Sequence, residues 1–190
     1  MDNSYDKLAT EQKKSIIRGN FIGDKIQAYG ITHYKYEDCL DNNLTEINGQ
    51  FVHKKCAEAF LEMQKKACSD GIFIEIVSGF RSSKYQIDIF KKNFNGSETP
   101  SDESMKNRMK YSAPSGFSEH HTGLAIDINE TEDTFANTKA YAWLLNNAQS
   151  YGFEMSFPQN NHQGLGFEPW HWRYVGTNEE FAFIFKQARI

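Results

Sequence analysis

Apolar and polar residues alternate along residues 124–129 and again along residues 170–175, the rhythm of strands. In the first run, opened by Gly123, Ile126 and Ile128 point one way and Asp127 the other, which aims the carboxylate away from the core. In the second, His171, Arg173 and Val175 share one face, and Trp170, Trp172 and Tyr174 share the other; the tryptophans read more often as core aromatics, with the alternative that one of them lines a substrate pocket. Two such strands side by side present Asp127 next to His171. A further strand is predicted over 153–157, and a β-rich run over 72–77 ends at Ser78-Gly79 and delivers Arg81 at a strand end.

Helical spacing surrounds these strands. It is read over 8–18 and over 52–67, where Val52, Ala57, Phe60, Leu61 and Met63 recur before Ser69-Asp70-Gly71. It returns over 137–150 with Ala140, Trp143, Leu144 and Ala148, and from Asn178 onward with Phe181, Ile184 and Phe185. Ser82 and Ser83 cap a helix running through Tyr85, Ile89 and Phe90. Residues 92–117 are rich in Lys, Asn, Ser, Gly and Pro and read as a long loop, either a solvated excursion or the rim of a cleft. The order of elements predicts a single α+β domain with a mostly antiparallel central sheet, helices on one face and a cleft on the other.

The chemistry lies in two short runs. Ser118-Glu119-His120-His121-Thr122-Gly123-Leu124-Ala125-Ile126-Asp127 and Glu168-Pro169-Trp170-His171-Trp172 together supply two imidazoles and a carboxylate. Catalytic zinc takes three such ligands and leaves a fourth position for water, whose pKa then falls to about 7. His120, Asp127 and His171 fill the three positions, and His2Asp suits zinc best among common metals. Glu168, three residues before His171, is then the non-ligating carboxylate that moves the proton. An isolated histidine is more often a surface or hydrogen-bonded residue than a ligand, and His33, His53 and His162 are read that way.

With 190 residues, 39% hydrophobic and 14% aromatic, the chain is long and apolar enough for one well-packed domain. A formal net charge of −4 gives no basic footprint for nucleic acid. No apolar stretch approaches the length of a membrane span, and residues 1–25 contain no long apolar targeting core. Cys39, Cys56 and Cys68 form neither a complete disulfide framework nor a Cys-x-x-Cys motif; Cys56 and Cys68 are expected to be small buried thiols on a helix.

Three ordered motifs carry a resemblance. Ser118-x-His120-x-x-Gly123-x-Ala125-x-Asp127 resembles the signature of the zinc D,D-peptidases of the VanY, VanX and D-alanyl-D-alanine carboxypeptidase group, related in fold to the Hedgehog signalling domain. Glu168-Pro169-Trp170-His171-Trp172 is similar to their second motif, and Ser78-Gly79-Phe80-Arg81-Ser82 with Gln86 to a third. The resemblance spans roughly residues 54 to 185. It implies a Hedgehog/D,D-peptidase-like fold, zinc on His120, Asp127 and His171, and Glu168 as catalytic base and acid. It also places Arg81 in the cleft, where a planar guanidinium binds a carboxylate or stabilises a developing oxyanion. Ser118 and Gln86 become partners for the terminal residue of the substrate.

The activity implied is removal of the C-terminal D-alanine from peptidoglycan stem peptides or precursors ending in D-Ala-D-Ala, in wall maturation or antibiotic resistance. L,D-carboxypeptidase and D,D-dipeptidase activities occur in the same group, and a non-catalytic wall-binding module is the alternative from another class. Residues 51–190 are expected to form the catalytic domain and residues 1–50 an N-terminal extension packing on it. Relatives act outside the membrane from an anchor or in the cytoplasm; the chain is expected at the cell envelope if an anchor has been removed, and otherwise in the cytoplasm. Two departures from the family pattern stand out: Ser156 falls where relatives often carry Arg, and the usual N-terminal lead-in is missing.

Overall fold

The two alternating runs form the centre of a four-stranded antiparallel sheet. The computed structural model describes residues 7–189; residues 1–6 of the expected extension and Ile190 of the expected catalytic domain lie outside them. In chain order the regular elements are α1 (Thr10–Arg18), β1 (Lys25–Ala28), β2 (Ile31–Tyr34), β3 (Leu44–Ile47), β4 (Gln50–His53), α2 (Lys54–Ser69), β5 (Ile76–Ser78), α3 (Ser83–Lys91), α4 (Asp102–Tyr111), β6 (Ala125–Ile128), α5 (Lys139–Asn147), β7 (Phe153–Met155) and β8 (His171–Tyr174). The main sheet runs β5-β6-β8-β7, and Asp127 pairs directly with His171 across β6 and β8. The side-by-side arrangement expected from alternation is therefore present.

One face of this sheet meets α2 and α5. Phe60, Met63, Ile76, Ile126, Ile128, Leu144, Phe153 and Trp172 are buried there in one cluster. Each large apolar side chain removed from water contributes about 1.5–3 kcal/mol, so this cluster fixes the sheet's orientation. The opposite face carries Asp127, His171 and Arg173, as the pattern required.

A second core lies across the cleft. Ile16 and Ile17 of α1, Ile26, Ala28 and Ile31 of the β1–β2 hairpin, Phe90 of α3 and Met105 and Met109 of α4 pack together. Here the sequence expectation for 92–117 is corrected. The segment contains α4, begun by Ser101, whose Oγ accepts the Ser104 N–H at 3.1 Å, and followed by Asp102 and Glu103 in the first turn. Met105 and Met109, four residues apart, are fully buried. Two apolar residues at helical spacing suffice when a core is waiting for them.

Other boundaries also move. Val52 belongs to β4, and α2 begins at Lys54 with the His53 ring accepting the Lys55 N–H. The expected terminal α-helix is a 3-10 segment, Ala182–Arg189, and only Ile76–Ser78 of the β-rich run pairs as a strand. The first fifty residues, expected to hold little beyond α1, contain two hairpin turns, at Tyr29-Gly30 and at Asn48-Gly49, and all four turn residues have positive φ. Cys56 is buried as expected, whereas Cys68 is exposed.

Candidate metal and catalytic centre

Backbone geometry places each functional side chain. Gly79, just past β5, has no room for a side chain: a Cβ there would lie 2.3 Å from the Phe51 carbonyl oxygen. That close approach turns the chain so that Arg81 enters the cleft. The next contacts tie this turn to the first motif. His120 Nδ1 lies 2.7 Å from the Gly79 carbonyl, His121 Nδ1 lies 2.6 Å from the Arg81 carbonyl, and the Arg81 N–H donates to the His120 carbonyl at 3.2 Å. Carbonyl oxygens only accept, so both Nδ1 atoms carry protons. Gly123, with φ +67°, ends the 3-10 turn Glu119–Thr122 and leads the chain into β6.

The consequence for His120 is an Nε2 that is buried and has no hydrogen-bond partner. A buried unpaired nitrogen is costly unless something binds it. It lies 3.3 Å from Asp127 Oδ2, and His171 Nδ1 lies 2.9 Å from Asp127 Oδ1. One donor atom from each of His120, Asp127 and His171 falls within 4.8 Å of the other two, and all three residues are buried. Donors around a tetrahedral zinc are about 3.4 Å apart at the usual bond lengths. The three residues predicted from sequence therefore converge into a set that can hold a metal ion.

The electrostatics of this set suit cation ligands. Burial opposes the charged form of Asp127, yet His120 and His171 hold its carboxyl well below the usual range. Burial also opposes charge on His171, but hydrogen bonds with Asp127 and Glu119 outweigh it and raise the ring to about 10. Burial and the nearby Arg81 hold His120 down to about 4, as a neutral ligand needs. The site favours positive charge on one side and an open lone pair on the other.

Glu168 sits at the edge of this group, its Oε2 3.8 Å from His171 Nδ1. Burial lifts its carboxyl to about 7; Asp127 and Glu119 add to the rise, while His171 and Arg81 oppose it. A carboxyl near 7 can both take and return a proton at neutral pH. Arg81 Nη2 lies 3.7 Å from Asp127 Oδ2, and its buried Nε has no partner. The cleft around these groups encloses about 580 Å³ and is also lined by Gln86, Ser118 and Trp170. Gln86 is buried and donates to the Ala113 carbonyl at 2.7 Å, leaving its Oε1 unpaired. Ser118 Oγ accepts the His120 N–H at 3.4 Å and so caps the metal turn as well as lining the cleft.

Three residues escaped sequence reasoning. Glu119 is 4% exposed and is met by His171, Arg173, Ser156 and Tyr36. His121 is fully buried behind Arg81. Arg173, on the same β8 face as His171, pairs with Glu119 at 2.6 Å and Glu154 at 2.7 Å. The strand alternation that placed Arg173 beside His171 was the available signal, because a cation on the inward face needs a buried acid. Ser156, noted only as a departure from the family pattern, donates to Glu119 at 2.5 Å.

The sequence profile of the family VanY: D-alanyl-D-alanine carboxypeptidase matches residues 49–177. YodJ of Bacillus subtilis (strain 168) is 34% identical over 184 residues, which is 93% of this chain and 62% of that protein. A vancomycin-resistance D,D-pentapeptidase VanY, solved as a glutamate-to-alanine variant with Zn(II), superposes with a TM-score of 0.62 at 26% identity, covering 83% of this chain and 89% of the other. VanYB in complex with D-alanine-D-alanine gives 0.60 at 29% identity, covering 76% and 82%. The chain spans between 50% and 62% of the length of the curated relatives it matches. Among the described residues no helix is long and apolar enough to cross a membrane.

Proposed function

Because the chain belongs to the VanY D-alanyl-D-alanine carboxypeptidase family, we propose that it is a zinc carboxypeptidase that removes the C-terminal D-alanine from peptidoglycan stem peptides or precursors ending in D-Ala-D-Ala. The observation that carries this reading is the unpaired, buried His120 Nε2 beside Asp127 and His171, with a protonatable Glu168 at its edge. On this reading the catalytic domain is residues 51–190, with residues 7–50 packing on it.

His120, Asp127 and His171 would hold the zinc, whose chemistry when bound would be to lower the pKa of a water and polarise the carbonyl to be cut. Glu168 accepts the proton of the attacking water and returns it to the departing amine of D-alanine. Arg81, its Nε unpaired and its guanidinium facing the cleft, offsets negative charge developing on the carbonyl oxygen. Ser118 and Gln86 hold the terminal residue, Gln86 through the Oε1 that lacks a partner. Glu168 argues for an enzyme over a binding module, since binding alone has no use for a proton carrier.

The test is a panel of zinc-loaded protein with a pentapeptide stem ending in D-Ala-D-Ala, a tetrapeptide stem ending in one D-Ala, and free D-Ala-D-Ala. Alanine release from the first alone supports the proposal. Release chiefly from the second indicates an L,D-carboxypeptidase, chiefly from the third a dipeptidase, and from none a wall-binding module. Glu168→Ala is expected to keep zinc and lose at least a hundredfold in turnover, and His120→Ala to lose both; normal turnover by the Glu168 variant would sink the assignment.

A further inference from the structure

Glu119 is a carboxylate taken out of water in a place where the proposed chemistry gives it no direct task. Its Oε2 lies 3.2 Å from His171 Nε2 and accepts the Ser156 hydroxyl at 2.5 Å. Its Oε1 accepts Arg173 Nη1 at 2.6 Å and the Tyr36 hydroxyl at 3.4 Å. Arg173 continues to Glu154, which also meets Arg189 at 2.9 Å. Each charge in this row is therefore flanked by its opposite. A lone buried carboxylate would be protonated or expelled, but one satisfied by a guanidinium and three further donors stays in place.

What the row holds still is the ring of His171. The ring's two nitrogens face different acids, Nδ1 toward Asp127 and Nε2 toward Glu119, and Phe157 packs against it with ring centroids 4.9 Å apart. Both acids accept from the ring in the metal-free chain; when zinc takes the Nδ1 position, on the side of Asp127 and the unpaired His120 nitrogen, the acceptor fixed at Nε2 keeps the remaining proton there. We propose that Glu119, locked by Arg173 and Ser156, is the positioning residue that fixes the tautomer and tilt of His171 and thereby sets the zinc affinity of the site. The proposal rests on the zinc reading above and adds a residue that touches neither zinc nor substrate.

The experiment compares zinc-loaded wild type and Glu119→Gln, which keeps shape and removes the charge. Zinc affinity is measured by competition with a chromophoric chelator, and the His171 Nε2–H signal is followed in 15N-edited NMR spectra. Affinity is expected to fall 10–100-fold, the usual effect of losing such a partner. The Nε2–H signal is expected to move upfield in the folded variant, which a loss of general stability would not cause. Unchanged affinity with an unchanged signal overturns the proposal. If Glu119→Gln does not fold, Ser156→Ala decides, since it withdraws only the hydroxyl from the oxygen shared with His171: an affinity at least threefold weaker supports the role, and one equal to wild type overturns it. Failure of wild type to bind zinc would instead remove the metal reading, so the two failures are distinguishable.

Discussion

His121 donates through Nδ1 to the carbonyl of Arg81 and accepts the Gly116 N–H through Nε2 at 3.1 Å. Both ring nitrogens are thus used to hold backbone, one of them at the carbonyl of Arg81 itself. Replacing His121 by Ala leaves a partly buried carbonyl and a partly buried N–H without this partner. We expect a loss of about 2–4 kcal/mol in stability by urea unfolding. Turnover should fall further than substrate affinity, because Arg81 loses its support; an unchanged kcat in the folded variant would contradict this.

Chelation tests the metal through the fold. Zinc binding to the native chain alone adds about 4 kcal/mol at a thousandfold excess over Kd. For a domain of this size that corresponds to a rise in Tm of roughly 8–16 °C, which a scan with and without chelator reads directly. The same scan on His120→Ala should show no zinc-dependent rise.

The pH dependence of stability has a source in His33. Burial lowers its pKa from 6.5 to about 4, even though its Nε2–H donates to the Met109 carbonyl at 2.8 Å. Between these values the unfolded chain binds a proton that the folded chain refuses. The stabilisation is therefore complete above pH 6.5 and lost as pH falls toward 4, about 3 kcal/mol across the window. Urea unfolding of metal-free protein at pH 7 and pH 4.5 should show a smaller difference in His33→Gln, which keeps a donor for Met109 and cannot titrate.

Met105→Ala probes the second core. The side chain is fully buried among α1, α3 and the first hairpin, so a cost of about 2–5 kcal/mol is expected. A surface loop at this position would tolerate the change within about 0.5 kcal/mol. Thermal unfolding distinguishes the two.

Legibility followed the strength of local signals. Alternation around Asp127 and His171 predicted the strand pair and the faces of its side chains, and Ser82 predicted the start of α3, where its Oγ accepts the Tyr85 N–H. Asn48-Gly49 between Ile47 and Gln50 is a strong hairpin signal, but the mixed, polar residues around it mask the two short strands it joins. The α4 helix was hidden for the same reason, since Met105 and Met109 are its only buried residues amid charged and polar neighbours. Glu119 and His121 were hidden differently. Their neighbours Ser156, Arg173 and Gly116 are brought to them by the fold, and nothing in the ten residues around His120 reveals that meeting.

The two cores give the cleft a division of labour. The wall bearing Asp127 and His171 is backed by the sheet and its helices, while the facing wall, with Gln86 and Arg108, is backed by α1, the first hairpin and α4. Each wall can be remodelled on its own foundation. On the proposed carboxypeptidase reading, changes in α4 or the hairpin are expected to alter which peptide is gripped and to leave the candidate metal ligands opposite in place, which opens new specificities through one half of the molecule.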